Sequence, residues 1–324
     1  MCGLSHGTRW AVTLMLFAGL LTSCSVPGAG GQETLPGRSA SGSVRPSGDT
    51  ATRAPSASPE SIADATLGEL PATGNAADLA RQLDRATATI RERDATATDV
   101  RRAAELQQLA VRALAGASAA FRMAVTSRLH PDTAPVIRSM VRAARLLSAM
   151  SRPQRQRQVP LPRWRIVEPP PATELLGYYR EAQRRTGVPW TYLAAIHLVE
   201  TRMGRIRGVS TAGAQGPMQF LPTTWDVYGA GGDITDPRDA ILAAARLLKA
   251  KGAPGHMAAA LWHYNQSGKY VRAVREYART MQRSSSAYRS YWHWRVFYRR
   301  ADTTYVLPVG YPTTRPVPLP SSQP

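Results

Sequence analysis

The chain has 324 residues, 43% of them hydrophobic, and its 41 lysines and arginines against 22 acidic residues give a formal net charge of +19. That length holds one or two domains with tails, and that apolar content excludes a wholly disordered chain. The charge favours anionic partners: a cell-wall polymer, a negative membrane surface or nucleic acid. Only three of the cations are lysines, and the 2 cysteines, Cys2 and Cys24, are too few and too N-terminal for a disulfide framework.

Arg9 precedes the apolar run Trp10 to Leu21, which is too short to span a membrane comfortably. Residues 1–23 therefore read as an export signal. Its ending, Leu21-Thr22-Ser23-Cys24, resembles a bacterial lipoprotein lipobox. That resemblance implies lipidation at Cys24 and an exported protein held to the outer face of the cytoplasmic membrane, facing the cell wall. The alternative is an ordinary cleaved signal in which Cys24 is incidental. Export argues against nucleic acid as a partner.

Residues 24–71 are rich in Gly, Ser, Pro, Ala and Thr and read as a flexible linker. Residues 72–150 read as an Ala/Arg-rich helical region of three runs. Leu79, Leu83, Ala86 and Ile90 share one face; Val100 to Leu129 offers Ala103, Leu106, Ala110 and Leu114; Ala134 to Met150 offers Val136, Met140, Ala144 and Leu147. His130-Pro131 separates the last two. Residues 151–171 read as a basic Pro-rich linker, since Ile137 to Arg165 carries eight arginines and no acid. Arg152, Arg155 and Arg157 either grip an anionic wall polymer or lipid headgroups, or belong to a solvated hinge.

Residues 172–283 read as a run of short helices. Thr173 to Thr186 opens it and Gly187 stops it; Pro189 begins the next helix, which is expected to end at Gly204. Leu193, Ile196, Glu200 and Met203 fall on one stripe of that helix. An acid on an apolar stripe in a last turn is hard to ionise, because desolvation and the helix dipole both oppose its charge. Its pKa should rise, as a general acid near neutral pH requires. Arg202 and Arg205 could pull it back, and a buried glutamate paired to arginine is the bland alternative. Asp236-Pro237 starts another helix, and Tyr270 to Met281 forms the last, with Val271, Val274 and Tyr277 inward.

Val199-Glu200-Thr201, Gly213 to Trp225 (GAQGPMQFLPTTW) and Ala260 to Ser267 (ALWHYNQS) resemble, in order, the three signature motifs of lysozyme-like lytic transglycosylases. The resemblance covers roughly residues 173–281. It implies an α-helical, lysozyme-like catalytic domain; with the helical segment before it and a short β-hairpin after it, the chain is expected to be mainly α. It also implies cleavage of the β-1,4 MurNAc–GlcNAc bond in peptidoglycan glycan strands, with a 1,6-anhydromuramic product. Matching positions make Glu200 the single acid/base. Thr201, Met218, Gln219, Tyr264 and Asn265 would line the substrate groove, with Tyr264 orienting Glu200. Thr201 stands where the family usually has Ser. Neither a cofactor nor a metal is expected: His197 and Glu200 lack a third ligand, Thr201 occupying the place a zinc site would give to His. A muramidase using water, or a non-catalytic wall-binding lipoprotein, is the alternative.

Residues 286–311 read as an aromatic β-hairpin, because Trp292, Trp294, Val296 and Tyr298 alternate with Tyr291, His293, Arg295 and Phe297. One face should pack on the helices; the aromatics could otherwise stack on sugars. Residues 312–324 read as a disordered Pro-rich tail.

Overall fold

A computed structural model describes residues 70–150, 161–300 and 303–319. The export signal, Cys24, nearly all of the first linker and Arg152, Arg155 and Arg157 lie outside the described residues. Among the described residues, no helix is long and apolar enough to cross a membrane.

The molecule is mainly helical. Helices α1 (Ala76–Arg91), α2 (Ala97–Gly116), α3 (Ala119–Thr126) and α4 (Ala134–Ser148) form the N-terminal part. The run expected as one helix from Val100 to Leu129 is two. Gly116 ends the first, and the Ser118 hydroxyl accepts from the Phe121 N–H and caps the second. Strand β1 (Arg165–Ile166) follows, then α5 (Ala172–Thr186), α6 (Trp190–Thr201) and β2 (Ile206–Arg207), which pairs antiparallel with β1. The second half of the expected basic linker is thus built into the fold, because Ile166 is buried beside Ile206, Val296 and Tyr311.

Helices α7 (Pro222–Tyr228), α8 (Pro237–Ala250), α9 (Met257–Tyr264), α10 (Gly268–Arg283) and α11 (Ser286–His293) complete the helical body. Ten of the twelve residues of α6 are buried, so it is apolar all round rather than amphipathic and runs through the core. One contiguous cluster of buried residues extends from Leu79 in α1 to Trp294. Helix α4 packs antiparallel on α10: Lys269 donates to the Ala149 carbonyl (2.8 Å) at one end, and Arg142 meets Glu276 (3.2 Å) further along.

The C-terminal sheet has the order β3 (Val296–Arg300), β4 (Thr303–Leu307), β5 (Val317–Pro318), all antiparallel. Two expectations fail here. Tyr288 to His293 is helical, because Tyr288 and Tyr291 also satisfy a one-turn spacing and both are buried in α11. The chain after Tyr311 turns back onto β4: Val317 and Pro318 pair with it, and the Leu319 N–H donates to the Thr304 carbonyl (2.7 Å). Both faces of β3 are covered, since Val296, Phe297 and Tyr298 are all buried, so the aromatics pack rather than offer a sugar platform.

Buried amides stitch the N-terminal helices to this end. Gln108 donates to the Arg295 carbonyl (2.9 Å) and accepts from the Arg295 N–H (2.8 Å). Ser290 donates to Gln107, which donates to Thr87. Gln108→Leu leaves two buried backbone groups without partners. Urea denaturation should show a loss of roughly 1–3 kcal/mol; an unchanged midpoint would mean that water or a shifted side chain replaces the amide.

Candidate functional site

Helix α6 ends at Thr201, earlier than the glycine expected to stop it. Arg202 (φ 56) and Met203 (φ 60) both turn left-handed before Gly204 (φ 87). Three left-handed residues in a row reverse the chain abruptly, and the Thr201 hydroxyl stabilises the turn by accepting from the Gly204 N–H (3.1 Å). The same hydroxyl donates to the Pro217 carbonyl (2.6 Å), fixing the helix end to the loop that follows. Thr201 therefore acts inside the protein, where a groove-facing hydroxyl was expected.

That loop is shaped by its glycines and Ser210. The Ser210 hydroxyl accepts from the N–H groups of Ala212 and Ala214. Gln215 and Phe220 exchange two backbone hydrogen bonds and close the loop. At Gly216 (φ +72) a Cβ would sit 1.9 Å from the Ile234 carbonyl oxygen, so only glycine fits. Gln219 is left-handed without being glycine (φ 52) and is 1% exposed. Its amide nitrogen donates to the Gly216 carbonyl (2.9 Å), while its Oε1 has no hydrogen-bond partner among the described residues.

Glu200 lies in the last turn of α6, 1% exposed. Tyr270, in the first turn of α10, donates its hydroxyl to Glu200 Oε1 (2.9 Å); Oε2 is buried and has no hydrogen-bond partner among the described residues. Tyr264 was expected to orient Glu200, but its hydroxyl instead donates to the Met218 carbonyl (2.6 Å). It backs Tyr270 by stacking, with ring centroids 6.5 Å apart and planes 5° apart. The spacing of Tyr270, Val274 and Tyr277 on α10 carried the missing signal, since a buried stripe begins at Tyr270. Asn265 is buried at the C-terminal cap of α9 in an extended conformation, with its carbonyl accepting from the Ser267 N–H (2.7 Å). Glu200, Tyr270, Tyr264, Met218 and Thr201 thus form one linked set drawn from four segments.

Burial pushes the Glu200 carboxyl up to about 8, and the Tyr270 hydrogen bond opposes that rise. The arginines of the sequence argument bond elsewhere: Arg205 pairs with Glu168 (2.9 Å) and donates to the Trp292 carbonyl, and Arg202 donates to the Leu198 carbonyl (2.7 Å). Burial also raises Tyr264 and Tyr270 well above the ordinary tyrosine value, keeping both as neutral donors. One turn back, burial pushes His197 down to about 3; its Nδ1 meets the Tyr179 hydroxyl at 2.6 Å. Among the described residues no group of three or more His, Cys, Asp or Glu side chains is placed to hold a metal ion.

The raised Glu200 value couples the fold to pH. The carboxyl titrates at 4.5 ordinarily and at about 8 in the fold, so between these values the native state holds the extra proton. Its stabilising contribution is complete below the ordinary value and is lost as pH rises through the folded one. The unfolding free energy of the wild type relative to Glu200→Gln should therefore fall as the pH of urea titrations is raised across that window. A pH-independent difference would mean an ordinary carboxylate.

Residues 177–286 match the family model described as Transglycosylase SLT domain. No curated protein and no solved structure matches the chain. The match encloses α6, the glycine-shaped loop, α9 and α10, the segments that build the Glu200 site. Residues 177–286 are therefore a transglycosylase SLT domain, the lysozyme-like catalytic domain of a peptidoglycan lytic transglycosylase.

Proposed function

We propose that Glu200 is the single acid/base for cleavage of the β-1,4 MurNAc–GlcNAc bond, with a 1,6-anhydromuramic product. The carrying observation is its carboxyl: buried, raised to about 8, held through Oε1 by Tyr270, with Oε2 lacking a hydrogen-bond partner among the described residues. Protonated Oε2 gives its proton to the glycosidic oxygen as the C1–O bond breaks. Positive charge at C1 is met by the substrate's N-acetyl group. The sugar's own 6-hydroxyl then attacks C1, and the Glu200 carboxylate takes the hydroxyl proton, which restores the acid. Tyr270 stabilises the carboxylate between the two transfers. At 1% exposure, Glu200 meets glycan only when the wall of loop and helix ends around it is displaced.

Water-based cleavage commonly uses a second carboxylate. The candidates are engaged elsewhere. Asp236 caps α8 and Asp233 accepts from Thr235. Asp239 accepts from the Asp233 N–H, and Glu276 meets Arg142 and Arg279. Asp226 is exposed on α7. This favours intramolecular attack over hydrolysis. Gln219 Oε1, a second buried acceptor without a partner, suits a sugar hydroxyl or N-acetyl N–H. The lipobox-like end at Cys24 supports export with a lipid anchor facing the wall.

Glu200→Gln should keep the fold and lose activity on purified peptidoglycan by at least on the order of 10²-fold. Mass spectrometry of wild-type digests should show anhydromuramic ends; reducing ends, one water heavier, would mean a muramidase. Cys24→Ala should move the protein from the membrane fraction to the soluble one, and unchanged membrane retention would refute the anchor.

A further inference from the structure

The seam between α4 and α10 opens on one side into a cleft of about 510 Å³, away from the Glu200 site and built from a different face of α10. Its charged lining is Arg138 and Arg142 from α4, and Glu276, Arg279 and Arg283 from α10. Residues 138 and 142 are one turn apart, as are 279 and 283. The helices run antiparallel, with Arg142 opposite Glu276, so arginines from both sides of the seam line the same cleft.

The four arginines differ in their partners. Arg142 (3.2 Å) and Arg279 (3.6 Å) both lean on Glu276, whose side chain is 9% exposed. Arg138 and Arg283 are exposed and form no hydrogen bond or ion pair among the described residues. Ser139 also lines the cleft at 6% residue exposure, and its hydroxyl has no hydrogen-bond partner among the described residues. Four cations, one carboxylate and a recessed donor leave a strong surplus of positive charge and of unsatisfied donors. Structural ion pairing accounts for Arg142 and Arg279 only.

We propose that this cleft binds a linear phosphate-bearing polyanion, held chiefly by Arg138 and Arg283 with the Ser139 hydroxyl as a further donor. Guanidinium forks match phosphate oxygens bidentately. The arginines come from two different helices and a neutral hydroxyl lines the cleft beside them, a donor set suited to the several oxygens of a phosphate. A recessed, open-sided cleft admits a thread-like chain, whereas a flat bilayer would meet only the outermost guanidinium tips. The site is independent of the chemistry assigned to Glu200, and it would keep the enzyme beside a phosphate-rich polymer while the separate groove acts on glycan.

The test uses the full chain and fluorescein-labelled inorganic polyphosphate, followed by anisotropy. Arg138→Gln/Arg283→Gln removes the two unpartnered cations without breaking an ion pair. Arg180→Gln/Arg184→Gln, two exposed arginines on α5, removes the same charge elsewhere. The first pair should weaken binding at least tenfold and flatten its salt dependence; the second should change it less than threefold. Digestion of purified glycan should be unaltered in both, and their urea midpoints should match wild type. Equal losses in the two pairs would mean diffuse charge and overturn the proposal. So would polyglutamate binding as tightly as polyphosphate, or a larger loss toward phosphatidylglycerol vesicles than toward polyphosphate.

Discussion

The site depends on one hydrogen bond in a dry interior, from the Tyr270 hydroxyl to Glu200 Oε1. Burial of a carboxyl favours its neutral form, and a single donor to one oxygen offsets only part of that cost. The outcome is an acid that keeps its proton at neutral pH, yet has a partner ready when the proton leaves. Without burial the carboxyl would be a permanent anion, useless as a proton donor. Without Tyr270 a Glu200 anion would be stranded in an apolar core.

Holding that geometry is what much of the remaining structure does. Helix α10 presents Tyr270 from one face, and the N-terminal helices press on others, chiefly through α4. The buried Gln108 contact with Arg295 and the Gln107 chain to Ser290 tie α2 to α11 and the sheet beyond. On the opposite side, Tyr264 and Thr201 both donate to backbone carbonyls of the loop that carries Gln219. The Glu200 site is therefore assembled by side-chain-to-backbone contacts among elements distant in sequence. The N-terminal helical segment, for which the sequence offered no function, serves as the buttress of α10.

The sequence made the acid legible and left its surroundings hidden. Residue type, position in a last turn and apolar neighbours were enough to expect a raised pKa at Glu200. The helix end was misjudged by three residues, because two non-glycine residues adopt the left-handed conformation that propensity reserves for Gly204. Tyr264 and Tyr270 are both buried and stacked in parallel; the stripe Tyr270, Val274 and Tyr277 marks Tyr270 as inward, while the turn between α9 and α10 sets which hydroxyl reaches Glu200. The start of the hairpin failed for a related reason: Tyr288, Tyr291 and Trp294 satisfy a one-turn spacing while their neighbours satisfy alternation. Burial on the helical body decided for helix up to His293.

The most direct measurement is a carbon-13 NMR titration of the Glu200 side-chain carboxyl, assigned by its disappearance in Glu200→Gln. A midpoint near 8 in the wild type, moving higher in Tyr270→Phe, is the expected result. A midpoint near the ordinary 4.5, or one that Tyr270→Phe leaves unmoved, would contradict the account.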